Sequence, residues 1–292
     1  MHSRNSCDGA CATVRDLVAD AEAKGITDFG LTDHLHTPAT LPDIAASRAE
    51  YLDSDPSPRF HFGVEVSVVS RWELEEIAAG HQADQTYGLR GMEPPGAPFA
   101  IVLTAEHVAE YGIEYVVGGA HWPLGVPTER DAVIANYHHQ NMFLATHPLI
   151  TIVAHPWWWM GAWQDGDGRY RTKPWFDDFG VIPQSMHDEF AAAAVERGKV
   201  VEINLSANLL NAEYPAGFVF QYLEYLAALQ AHGVALAIGS DVHEAHYAPD
   251  LERSAELLAS VGLAEADRWC LAPRSSVVRD GRFVSSGRCS HA

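Results

Sequence analysis

"IEYVVGGAH" (residues 113–121) is an apolar run that closes on a histidine. It reads as a buried strand running into a polar residue. The same pattern recurs in "ITDFGLTDH" (26–34), "FHFGVEVS" (60–67), "LITIVAHP" (149–156), "KVVEINLSA" (199–207) and "VALAIGSDVH" (234–243). Each run ends in a residue able to bind a metal: His34, Glu65, His121, His155, Glu202, and the pair Asp241 and His243. Between the runs lie helical patterns. Residues 12–24 read as an amphipathic helix stopped by Gly25, and further helices are expected at about 128–146, 186–198, 215–232 and 250–261. Strands alternating with helices imply βα units and a parallel sheet. In a β/α barrel the C-terminal strand ends converge on one mouth, where chemistry sits. Residues far apart in sequence thus become neighbours in space.

The rest of the composition narrows the function. The chain has 292 residues and is 47% hydrophobic, enough for a sizeable core. A single domain spanning 1–292 is expected, and there is no internal repeat. No apolar run reaches the roughly 18 residues of a membrane span, and the N-terminus lacks a signal-peptide pattern. A cytoplasmic protein is expected, with its four cysteines (Cys7, Cys11, Cys270, Cys289) as reduced thiols. The net charge is −20, which leaves no basic face for nucleic acid. The oligomeric state is not readable.

Two segments interrupt the alternation. Residues 71–112 contain "GLRGMEPPGAPF", and residues 157–183 contain "WWWMGAWQDGDGRYRTKPWFDDFG". Both read as loop insertions over the mouth. The second holds five of the eight tryptophans and the cations Arg169, Arg171 and Lys173. It reads equally as a loop packed by its own aromatics or as a substrate lid.

Taken singly, a strand-end histidine is more often structural, and an aspartate after a strand is commonly a helix N-cap. Independent structural roles would not all fall at the same end of successive strands. Imidazoles mixed with carboxylates suit zinc, manganese or iron rather than calcium. A multinuclear metal site is therefore expected.

The motifs "TDH" (32–34), "GVEVS" (63–67), "GGAH" (118–121), "VAHP" (153–156) and "GSDVH" (239–243) resemble, in order and spacing, those of the PHP (polymerase and histidinol phosphatase) superfamily. "VEINLSANLLNAEYP" (201–215) is similar to the matching segment of its histidinol-phosphatase-type members. The resemblance covers nearly the whole chain. It implies a distorted (β/α)7 TIM-like barrel with two or three divalent metal ions at the strand ends. One metal would take the two histidines of an opening His-x-His with Glu65 and Asp241. A second would share Glu65 and add His121 and His155. A third would take Asp8, His34 and His243. In "MHSRNSCD", His2 and Asp8 fit the tail of the opening motif, and the motif's first histidine would precede Met1. A start assigned at the methionine of a His-Met-His run would explain this, and in-frame upstream codons for a strand ending in His are then expected.

The resemblance implies hydrolysis of a phosphoester by a metal-activated water, with Glu65 and Asp241 at the centre of the chemistry. A small organic phosphate monoester is expected as substrate, since no basic groove or polymerase domain accompanies the barrel. Arg4, Arg171 and Lys173 are candidates for phosphate contact, with surface solvation as the alternative for each. His36 and His246 are candidates for the acid that serves the leaving group, or else residues that support the metal ligands from behind or are merely exposed. Two other readings stay open: a lactonase or amidohydrolase-like enzyme using the same activated water, and a catalytically impaired metal-binding protein lacking the opening histidine.

Overall fold

The computed structural model describes residues 1–159, 174–246, 249–263 and 268–274. A seven-stranded sheet forms the centre. Its main path is β1 (Phe29–Leu31), β3 (Phe60–Ser67), β6 (Tyr115–Gly119), β7 (Ile152–Val153), β8 (Val200–Asn204) and β9 (Ala235–Gly239), with β2 (His34–Leu35) also on β3. Every pairing in it is parallel; the register sets Glu65 opposite Val117 and Glu202 opposite Ala237. Parallel register puts the C-terminal ends of all these strands on one rim. The sheet curls into a half-barrel, with helices around it.

The start of the chain fills part of the space between the two sheet ends. Met1 O accepts from Thr32 N at 3.0 Å, beyond β1, and His2 N donates to Val242 O at 3.0 Å, beyond β9. His2 therefore arrives at the same rim as the strand ends, and only 1% of its surface is exposed.

The helices follow from local signals. In α1 (Val14–Ala23), Thr13 and Asp16 form a reciprocal capping box that satisfies orphan amide donors. Val14, Leu17 and Ala21 fall on one face at helical spacing and are buried. Gly25, at φ 73°, ends the turn in a conformation that costs other residues more. Helices α5 (Arg130–Thr146), α6 (Gln184–Glu196), α7 (Ala216–Ala231) and α8 (Leu251–Ser260) lie where the periodicity places them.

Inside the barrel, Tyr115 lies across β1 and β3. A Cβ at Gly30 would overlap its hydroxyl, and one at Gly63 would come within 2.7 Å of its ring. The two strand glycines make room for this aromatic side chain, which has 7% of its surface exposed.

Three expectations change. Helix α2 (Leu41–Asp53) was not read at all. Residues 71–112 are not simply a loop: they contain α3 (Arg71–Ala78), the antiparallel pair β4 (Val69–Ser70) with β5 (Phe99–Ala100) at their border, and α4 (Ala105–Tyr111). The Gly/Pro cluster at 88–98 drew attention from Thr104, which caps α4, and from Gly112, which ends it in the left-handed region. The cysteines are not uniformly free: Cys7 and Cys11 are thiols, but Cys270 is disulfide-bonded. No helix among the described residues is long and apolar enough to cross a membrane.

Candidate metal centre

Glu65 stands at the C-terminal end of β3, fully within the barrel mouth, with 3% of its surface exposed. Its Oε1 is 3.2 Å from His121 Nε2, 3.1 Å from His155 Nε2 and 4.0 Å from His34 Nδ1. Its Oε2 is 3.6 Å from His2 Nε2. A second carboxylate, Asp241, meets His2 Nε2 at 3.1 Å and His243 Nδ1 at 3.7 Å. A third, Asp8, meets His34 Nε2 at 3.2 Å and His243 Nε2 at 2.5 Å. The rings of His2 and His34 stack at 4.4 Å, and those of His2 and His243 at 4.3 Å.

All eight residues expected to bind metal thus converge. Donor atoms of His2, His34, Asp241 and His243 lie within 4.8 Å of one another, and so do those of His34, Glu65 and His121. Asp8 Oδ1 and His34 Nδ1 are buried with no hydrogen-bond partner, which is how a donor set for a cation looks without one. The mixture of imidazole and carboxylate suits a borderline divalent ion.

The electrostatics agree. Burial pushes the Glu65 carboxyl up, but the surrounding His34, His121 and His155 outweigh it and hold Glu65 well below the usual carboxylate range. Burial pulls His155 down, yet Glu65, Glu202 and Asp241 raise it to about 9. His243 is likewise raised to about 9, burial being outweighed by Asp8 and Asp241. The carboxylates draw positive charge, which protons or divalent ions can supply.

The backbone is bent to deliver these groups. His155 (φ 27°), Trp157 (φ 66°) and Asp241 (φ 53°) all adopt positive φ without being glycine. Such strain persists where surroundings over-determine it. Here the surroundings include Glu202, whose Oε2 accepts from His155 N at 2.8 Å, and Asn204, which donates to Glu202 Oε2 at 3.0 Å and Asp241 Oδ2 at 3.2 Å. Glu202 is pushed up to about 7 by burial and does not join the cluster of ligand atoms.

The remaining expectations divide. His36 is brought in: its ring stacks on His34 at 4.4 Å. His246 is not: its side chain is 86% exposed and faces Asp20 of α1 at 3.5 Å. Arg4 is also directed elsewhere, its Nε bonding Glu50 of α2 at 3.2 Å. Arg171 and Lys173 lie outside the described residues. Of the tryptophans, Trp157, Trp159 and Trp175 pack on one another in the core. Trp158 instead stands 5.0 Å from the His155 ring and 5.7 Å from that of His121.

Several residues escaped the sequence reading. Ser67 Oγ bonds both His36 Nδ1 (2.7 Å) and His121 Nδ1 (2.8 Å). Asp33 accepts from the Ser3 hydroxyl at 2.6 Å, fixing the loop between His2 and Asp8. Arg90 lies 4.0 Å over the Trp122 ring and donates to His36 O at 2.6 Å. The serine of "GVEVS" sits two residues after Glu65, on the same face of the strand, a signal period-two reasoning could have used.

No protein-family model and no curated protein sequence matches the chain. Solved structures do. The crystal structure of histidinol phosphate phosphatase from Lactococcus lactis, complexed with zinc, L-histidinol and phosphate, matches at a TM-score of 0.56 and 14% identity, covering 92% of this chain and 94% of that one. A candidate histidinol phosphatase from Listeria monocytogenes matches at 0.55 and 11%, covering 87% and 97%. At such identities the likeness speaks for the fold: the chain has a PHP-type, histidinol-phosphatase-like α/β fold, a distorted barrel open along one side.

Proposed function

We propose that the protein is a metal-dependent phosphoesterase that hydrolyses a small organic phosphate monoester. The observation that supports this most is Glu65, one buried carboxylate with four imidazoles of His2, His34, His121 and His155 around its two oxygens. A carboxylate so placed can bridge two ions. His2 and Asp241 would complete one site, His121 and His155 a second, and Asp8, His34 and His243 a third. Bound divalent ions would lower the pKa of water to furnish hydroxide near neutral pH and would neutralise phosphoryl oxygens, so an acidic protein can hold an anion.

The protein's own groups supply the rest. Glu202 and Asn204 keep His155 and Asp241 in their strained positions, so the ligand set is held before substrate arrives. His36, Trp122 and Trp158 flank His121 with ring centroids 5.3–5.7 Å away, a wall suited to a compact organic group. Arg4 and His246 take no part in this reading.

The test is phosphate release from a panel of small monoesters by the full chain supplied with zinc, manganese or iron, run beside lactone and amide panels. Turnover of an ester is expected, with Glu65→Gln lowering kcat by more than about a hundredfold, the scale of losing one pre-organised electrostatic group. Turnover confined to lactones or amides would move the enzyme to the amidohydrolase-like class. Tight metal binding with no turnover on any panel would mark a metal-binding protein instead.

A further inference from the structure

Ser67 has a place that metal binding alone does not explain. It closes β3, is fully buried, and its hydroxyl joins two histidines of different standing: His121, a candidate ligand, and His36, which is not. A serine hydroxyl has one proton to give and lone pairs to accept with. His121 points Nε2 at Glu65, so Nε2 would be the atom that holds a metal and Nδ1 would keep the ring's proton. That Nδ1–H must donate to Ser67 Oγ at 2.8 Å. The hydroxyl proton then has one acceptor, His36 Nδ1 at 2.7 Å. The proton of the His36 ring is thereby left on Nε2, which has no hydrogen-bond partner among the described residues. Were Nδ1 of His36 protonated, the buried Ser67 hydroxyl would accept twice and its own proton would be stranded, a cost such sites avoid.

The His36 ring is held in place independently. It stacks on His34, meets Trp122 edge-on at 5.5 Å, and its backbone carbonyl takes the hydrogen bond from Arg90. A fixed ring with a fixed tautomer beside the candidate ligands is a pre-organised donor. Resting on the phosphoesterase reading above, we propose that Ser67 is a positioning residue: it passes the proton arrangement of His121 to His36, which then offers Nε2–H to an anionic oxygen of the substrate.

The His36 tautomer can be read without turnover. In the zinc-loaded full chain with nitrogen-15-labelled histidine, long-range proton–nitrogen correlation spectra should show His36 with a bare Nδ1 and a protonated Nε2, its signals assigned by their loss in His36→Gln. In zinc-loaded Ser67→Ala, whose zinc content is measured to be unchanged, His36 should become a mixture of tautomers. Inorganic phosphate, titrated into the zinc-loaded protein, should bind roughly tenfold more weakly to Ser67→Ala and to His36→Ala, the effect of losing one hydrogen bond to a charged group. The double variant should be no weaker than the worse single one, because both changes break one path. A proton found on His36 Nδ1 in zinc-loaded wild type would overturn the proposal. So would losses that add in the double variant, since Ser67 would then act through His121 alone. Neither result depends on ester turnover, which decides the reaction class separately.

Discussion

Asn204 donates to Glu202 and to Asp241 at once, and so ties the end of β8 to the bent loop after β9. Groups that orient a metal ligand change metal affinity by about 10–100-fold when removed. Asn204→Ala should therefore bind zinc about 10–100-fold more weakly in a chelator competition. Unchanged affinity would mean that Asp241 holds its strained backbone without help. At this scale the sequence was informative where chemistry is intrinsic to the side chain. Every strand-end His, Asp and Glu assigned as a ligand lies in the cluster, because parallel register brings the C-terminal strand ends to one rim. It was uninformative for long, flexible side chains. Arg4 could reach a phosphate or a helix, and its pairing with Glu50 depends on a packing that "HSRNSCD" does not encode by itself.

Gly30 and Gly63 leave the space that the Tyr115 ring occupies. Gly30→Val would force a branched side chain into Tyr115, and overpacking of this kind costs about 1–3 kcal/mol. Urea denaturation should show that loss, and a neutral result would mean that Tyr115 can swing aside. On the outer layer, His187 of α6 stacks on Phe179 at 5.4 Å and packs against Tyr225 of α7 at 4.7 Å. Burial lowers it from 6.5 to about 4. The folded value lies below the unfolded one, so protonation opposes folding: the penalty is absent above pH 6.5, builds as pH falls to 4, and is constant below. The stability difference between wild type and His187→Phe should therefore shift in favour of the variant between pH 7.5 and pH 4.5, read from urea midpoints. Parallel pH profiles would rule His187 out as the cause. Element type was legible wherever periodicity ran long, as in α5 and β3. Helices α3 and α4 were hidden because each is short and a Gly/Pro-rich stretch lies between them. Their caps, Ser70 and Thr104, were the available signal.

In the whole molecule, β3, β6, β7 and the segments after β1 and β9 each send ligand candidates to a single rim, so the centre also ties the two ends of an open sheet together. An ion that binds only the folded chain stabilises it by about 2.7 kcal/mol at a hundredfold excess over Kd. For a chain of this size the Tm should rise by about 5 °C when zinc is restored to chelator-treated protein. Asp241→Asn should lose most of that rise, and a zinc response equal to wild type would place the ion elsewhere. A parallel sheet of βα units was readable from the alternation of strands and helices, and the family resemblance added the distorted barrel. The bridging of its open side was not readable: residues 1–2 meet β1 and its end through Met1 N to Gly30 O and Thr32 N to Met1 O, and the segment after β9 through His2 N to Val242 O, with no periodic pattern to announce it. These eight side chains are expected to form one polynuclear metal centre. Diffraction from the purified full chain at the zinc, manganese and iron absorption edges tests it most directly. Two or three anomalous peaks within reach of Glu65, His2, Asp8 and His155 are predicted; saturating metal with no peak at Glu65 would contradict the account.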